Sequence, residues 1–324
     1  VDGDEQKRAG PPPWQRWAFA AIPAVGLIEL GAHVVQTHSV VSDNDWKAAR
    51  EYVAAQAKPE DLVTFAPAWV DPIGREQFGN QIATLEREAR PDETRFPRAF
   101  EVSVHGGHTA ALATWAHTGT QRFGDVTVTT LQNPAPAQVL EDLVSLVNPE
   151  RLHVWRVDGE HETPCPFARA SAQSGGLGFG PAIPAERFVC PTGALVGASV
   201  IADLTYEARR CIYAPIASGK GFVRMRFSDV KIGRTLHGHH GIYVEAERNR
   251  TGAPVTITFR VGDTLLGSVV HHDGDGWKPF EFDTSAIHAD DKDGQAGDRR
   301  ADIIAEVEAP NAERRTYCFE ADTR

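Results

Sequence analysis

A chain of 324 residues, 41% apolar and 24% charged, is long enough for two domains and too apolar to stay unfolded. Its net charge of −11, with no basic run beyond a pair, makes nucleic acid a poor partner. Four cysteines, Cys165, Cys190, Cys211 and Cys318, show neither CxxC nor zinc-finger spacing; an oxidising compartment would join them as two disulfides, in any of three pairings.

In chain order, residues 1–16 are polar, carry Pro11 to Pro13, and read as a short cytoplasmic tail. Residues 17–36 are mostly apolar with one charge, Glu29, close to the roughly 20 residues that a bilayer-spanning helix needs. Lys7, Arg8 and Arg16 precede this stretch and the next basic residue is Lys47, so positive-inside logic predicts a single-pass anchor. The bulk of the chain would then lie outside, on the periplasmic side of a bacterial inner membrane. A cleaved signal peptide gives the same compartment, and a buried soluble helix is the remaining reading.

Residues 40–160 alternate strand and helix patterns. Ser42-Asp43-Asn44-Asp45 would cap a helix carrying Trp46, Ala49 and Val53 on one face. Strands are expected at Asp61–Pro67, Arg98–Val104, Asp125–Leu131 and Leu152–Val157. Helices are expected from about Gly74 to Arg90, at Thr109–His117 and at Pro136–Val147. That order predicts a small, mainly parallel, Rossmann-like α/β domain. Residues 161–191 are rich in Pro, Gly, Ser and Ala and read as a linker, possibly closed by Cys165–Cys190. Residues 192–324 lose helical periodicity and show short β-rich runs between Gly and Asp turns, the pattern of a β-sandwich or jelly roll. Cys211 near its first strands and Cys318 in its last favour a Cys211–Cys318 pair.

Two resemblances follow from these segments. The run DWKAAREYVAAQAKPEDLVTFAPAWVDPIGR, with EVSVHG and FGDVTVTTLQNP, resembles the soluble region of bacterial GT-C glycosyltransferases of the dolichyl-phosphate-mannose type. The resemblance spans residues 40–157 and implies a polyprenyl-phosphate-sugar setting. It does not carry the catalytic acid, which in that family lies in a many-helix membrane domain. RRCIYAP, HGHHGIY, DGDGWKPFEFDT and RRTYCFEA resemble galactose-binding-like jelly rolls, with no site residue transferred.

Ligands of open α/β sheets bind beyond the strand ends. Trp69, Asp71 and Arg75 follow the first predicted strand, His105 and His108 the second, and Asn133 the third. Asp71 and Arg75 could orient a sugar or phosphate, and His105 with His108 could serve acid–base chemistry; a surface ion pair and two loop histidines is the plainer reading. Trp277 and Tyr243 could stack on a sugar ring, against a core role for Trp277. His237, His239 and His271, with Asp273 and Asp275, could hold a metal. Strand alternation separates His239 from His240, and exposed histidines are the simpler account. Asp273, Asp275, Asp290, Asp291 and Asp293 suggest a structural Ca²⁺ but lack EF-hand spacing, so no cofactor is assigned. The sequence thus favours a membrane-anchored carbohydrate-binding or accessory module of cell-envelope glycan assembly. Its partners would be an envelope glycan or polyprenyl-linked sugar, the membrane, and a membrane protein. A glycosyl-transfer enzyme and a structural interaction module are the alternatives.

Overall fold

In a computed structural model of the chain, residues 13–38, 40–84, 89–173, 183–214, 216, 221–287 and 299–324 are described. The tail before Pro13, the centre of the Pro/Gly-rich stretch and the acidic residues Asp290, Asp291 and Asp293 lie outside them.

The apolar N-terminal stretch forms one helix, α1 (Pro13–His38), with Pro23 inside it. Every side chain described within it, residues 20–34, is exposed, including Ile22, Leu27 and Ile28. It is therefore not the buried helix of a soluble core. Among the described residues no helix is long and apolar enough to cross a membrane.

The first lobe begins with α2 (Asp43–Gln56), where the Ser42 hydroxyl accepts from the Asp45 amide at 3.2 Å and Asp43 and Asp45 occupy the first turn. Trp46, Ala49 and Val53 fall on one face and pack with Phe65, Phe78, Phe100 and Val128. Strand β1 (Leu62–Ala66) is buried throughout and leads into α3 (Asp71–Phe78). A Cβ on Gly74 would meet the Phe65 ring at 2.1 Å, so glycine is what lets α3 lie on the sheet. The lobe is completed by β2 (Arg98–Val104), β3 (Ala116–Phe123) and β4 (Val126–Gln132), in the order β1-β2-β4-β3.

This sheet differs from the expected parallel one. Only β1 and β2 are parallel; β2, β4 and β3 pair antiparallel. After β2 the chain leaves through His105 and Gly106, both at positive φ, reaches β3 without a helix, and reverses at Gly124, so that β3 and β4 form a hairpin whose second strand lies against β2. Residues expected as helix at 109–117 give a single 3-10 turn and the start of β3. Of the helix expected from about Gly74 to Arg90, α3 ends at Phe78 and residues 85–88 lie outside the described residues; residues 136–147 hold only β5 (Glu141–Asp142) and a short 3-10 turn.

The remaining strands build a sandwich. They are β6 (Leu152–Asp158), β7 (His161–Pro164), β8 (Phe167–Arg169), β9 (Glu186–Val189), β10 (Leu195–Ala202), β11 (Ala208–Tyr213), β12 (Phe222–Lys231), β13 (Thr235–Ile242), β14 (Val255–Val261), β15 (Thr264–His271), β16 (Lys278–Asp283), β17 (Arg300–Glu308) and β18 (Tyr317–Thr323). One sheet runs β16-β13-β18-β11-β10-β9-β8, with β5 on the far end of β18; the other runs β15-β14-β17-β12-β6-β7. Strand β6, expected in the first lobe, pairs with β12, and the expected linker supplies β7, β8 and β9. Phe227, Phe259, Phe280 and Phe319 fill the space between the sheets.

Cys165–Cys190 and Cys211–Cys318 are both bonded, as their placement suggested. The second closes 107 residues of sequence and the first 25. Replacing Cys211 and Cys318 by Ala should therefore lower the unfolding free energy in urea by about 4–5 kcal/mol, against about 3.5 kcal/mol for the other pair. The reverse ranking would contradict this assignment of their roles.

Candidate functional site

Strand β18 explains how the two lobes meet. All seven of its residues are buried. Tyr317, Phe319 and Ala321 face the sandwich core, while Cys318, Glu320 and Asp322 face the other way. That outer face is covered by residues 89–97, the segment that carries the chain from the first lobe's helical half into β2. The Arg210 amide donates to the Ala89 carbonyl at 2.8 Å, and the Trp277 indole donates to the Pro91 carbonyl at 2.9 Å.

Charge fills this seam. Arg95 contacts Asp142 at 2.9 Å, Asp322 at 2.8 Å and Glu320 at 3.4 Å. Arg324 contacts Asp92 at 2.5 Å and Asp322 at 2.7 Å. Arg209 contacts Asp203 at 2.9 Å and Glu93 at 3.3 Å. Burial pulls the Arg95 guanidinium down, but Asp142, Glu320 and Asp322 outweigh it and hold the proton more firmly. Burial pushes Asp92 up, yet hydrogen bonds from Thr94 and Arg324 bring it to about 2. Burial raises Glu320, against the pull of His239 and Arg95.

The sequence candidates are scattered over several places. Asp71 and His108 come together in a cleft of about 200 Å³ between the lobes, lined also by Phe65, Arg90, Tyr206 and Glu207. The loop that delivers His108 folds tightly: a Cβ on Gly107 would lie 2.5 Å from the Pro67 ring. The His108 Nδ1 lies 2.9 Å from the buried Glu101 carboxylate, which also accepts from the Thr109 amide at 2.5 Å. The imidazole itself is 73% exposed. Arg75 is held by Asp71 at 2.9 Å. Tyr206, at positive φ and 59% exposed, has the Arg248 guanidinium 5.7 Å from its ring centre.

His105 is separated from His108. It joins Trp69, Val40, Val41, Trp46, Val70, Ile73 and Val104 around a more apolar pocket of about 410 Å³. Asn133 is structural, its amide donating to the Thr94 and Phe96 carbonyls.

Trp277 and Tyr243 pack on the Cys211–Cys318 side of the sandwich. The Trp277 ring also stacks on His239, with centroids 6.0 Å apart, so one of its faces is taken up in the seam.

The expected metal set is split by strand geometry. His237 and His239 are two apart on β13 and share its outer face; they are mostly covered, not the exposed histidines expected. His271 is fully buried on the core side with His240, and its Nε2 lies 3.1 Å from Glu247. Burial, then the neighbouring His271, pushes His240 down to about 3. Asp273 is engaged by Arg315 at 2.7 Å and Asp275 by Lys278 at 2.9 Å, so neither stands ready as a Ca²⁺ ligand.

Sequence reasoning did not find Arg90, Asp92, Arg95, Glu101, Tyr206, Glu207 or Glu320. For Glu320 a signal existed: His237-x-His239 and Glu320-x-Asp322 both repeat at the strand period. Nothing local marks the others.

No family model matches the sequence, and no curated protein does. Two solved structures of the CBM51-2 and INT domains of ZmpB from Clostridium perfringens, one of them in complex with GlcNAc, are weak structural neighbours. Each is 8% identical to this chain, with a TM-score of 0.29, over 57% of this chain and 40% of theirs.

Removing the charge of Arg95 leaves Glu320 and Asp322 buried with less compensation. Arg95→Ala should cost about 3–5 kcal/mol at pH 7. The deficit should shrink in acid, where the stranded carboxylates take up protons. Urea titrations at pH 7 and pH 5 check this, and a loss under 1 kcal/mol would contradict it.

Proposed function

We propose that this chain is a membrane-tethered, extracytoplasmic carbohydrate-binding module whose ligand occupies the cleft between the two lobes. One observation carries the reading: the cleft combines carboxylate, guanidinium and imidazole groups with a largely exposed tyrosine. Sugar hydroxyls need both donors and acceptors, and an aromatic face covers the apolar C–H side of the ring. Asp71 and Glu207 supply acceptors, Arg90 and His108 supply donors, and Tyr206 supplies the face. This moves the sugar-stacking role away from Trp277 and Tyr243.

Tethering is supported by α1. A helix whose described side chains are all exposed, and which include Ile22, Val25, Leu27, Ile28 and Leu30, needs an apolar environment that the rest of the chain does not give it. A bacterial inner membrane supplies one, with the two disulfides formed on its oxidising side.

A second reading rests on the Glu101–His108 pair. A buried carboxylate that orients an exposed imidazole is an arrangement suited to acid–base chemistry, and the ligand would then be a polyprenyl-linked sugar undergoing transfer.

Glycan-array and calorimetric titration separate these readings. Tyr206→Ala and Asp71→Asn should each weaken glycan binding about tenfold or more, a loss of about 1.4 kcal/mol or more. An enzyme should turn over a polyprenyl-linked sugar and lose that turnover in His108→Gln, whereas a module that only binds should show no turnover in the wild-type protein. Unchanged affinity in both Tyr206→Ala and Asp71→Asn would remove the cleft from consideration.

Deleting residues 1–38 should release the protein from membranes and leave its melting temperature unchanged, because the described part of α1 buries nothing. Alkaline carbonate, which strips peripheral proteins, should leave the intact chain with the lipid; its release by carbonate would contradict the anchor.

A further inference from the structure

We propose that His237, His239 and Glu320 form a binding site for a divalent transition-metal ion of the Zn²⁺ class, placed in the seam between the lobes. The three side chains offer ligand atoms that all lie within 4.8 Å of one another. Imidazole and carboxylate ligands together suit Zn²⁺ and its neighbours, whereas Ca²⁺ and Mg²⁺ favour all-oxygen sites.

Register is what makes the cluster. In the antiparallel β13–β18 pair, His237 stands opposite Asp322 and His239 opposite Glu320. Directly opposed residues on one face of such a pair are close enough for their side chains to converge. Gly238 between the histidines lets the strands approach, since a Cβ there would meet the Glu320 carbonyl at 2.2 Å. His240, one residue out of phase, points into the core and takes no part.

His239 and Glu320 bond one another at 2.7 Å, and His237 is left outside that pair. The Nδ1 of His237 is buried without a hydrogen-bond partner. Its nearest acid, Asp92, is 4.0 Å away and already bonded to Thr94 and Arg324. The Glu320 side chain has no exposure, and its contacts are His239 at 2.7 Å and a long one to Arg95 at 3.4 Å.

Local charge agrees. Asp92, Asp142, Glu320 and Asp322 face Arg95 and Arg324, the cations that contact them among the described residues. Four carboxylates against two guanidiniums leave the charge of one divalent ion uncompensated. An excess of that kind in a covered seam must draw in either protons or a cation.

The surroundings also hold the ligands in place. The Trp277 ring stacks on His239 with planes 7° apart, and the Trp277 indole is tied to the Pro91 carbonyl. A bound ion would thus fix β13 and β18 under the segment that closes the seam, a structural role independent of the sugar-binding reading.

The test uses untagged, full-length protein, stripped with a chelator and titrated with Zn²⁺ by calorimetry, with metal content measured after dialysis. The expected result is one ion per chain and a higher melting temperature. Glu320→Gln, which keeps the shape of the side chain, and His237→Ala should each weaken Zn²⁺ binding at least a hundredfold, while His272→Ala should not change it. Should a variant fail to fold, the visible spectrum of the Co²⁺-loaded wild-type protein decides. Strong tetrahedral bands support the site, and the weak spectrum of hydrated Co²⁺ overturns it. Absence of stoichiometric metal, or binding untouched by Glu320→Gln, also overturns it.

Discussion

Arg95 is the constraint on which the architecture turns. Its guanidinium reaches Asp142, Glu320 and Asp322, and so joins the first lobe's connecting segment to two strands of the sandwich. A charge in this position is costly to bury and costly to remove. Its partners are therefore obliged to stay where they are, and with them the outer face of β18. An apolar contact of similar area would tolerate sliding; three directional ion pairs on one guanidinium do not.

Two features follow from that fixity. The cleft with Asp71, His108 and Tyr206 has one wall from each lobe, so its shape depends on the seam holding. The second is the double burial of β18. Tyr317, Phe319 and Ala321 join the apolar core, and the outward residues are a disulfide cysteine and two acids, so hydrophobic burial, covalent linkage and electrostatics act on one strand.

The sandwich was largely legible in the sequence. Val255–Val261, for example, alternates buried and half-buried residues at the strand period that the β-rich runs of residues 192–324 predict. Strand β13 was not legible over most of its length, because TLHGHHGI carries two glycines and three histidines and little β propensity. Strand β3 was missed because it is an exposed edge with no apolar alternation to read. Strand β6 was read as a strand but given to the wrong sheet, since alternation reports burial and not the partner. Both disulfides were legible from position. The charged seam was not: Arg95 and Glu320 are 225 residues apart in sequence, and each alone resembles an ordinary surface residue. Of the candidate cleft, Asp71 and His108 were legible as strand-end polar groups, while Tyr206 and Glu207 reach it from the other lobe.

The central claim is that the two lobes form one body through this seam. Native-state hydrogen exchange of the Arg210 amide, which crosses the seam to the Ala89 carbonyl, tests it most directly. The account predicts that this amide opens with the same free energy as core amides of β17, such as that of Ile304. Opening that is several kcal/mol easier, with β17 still protected, would show that the lobes part on their own and would contradict it.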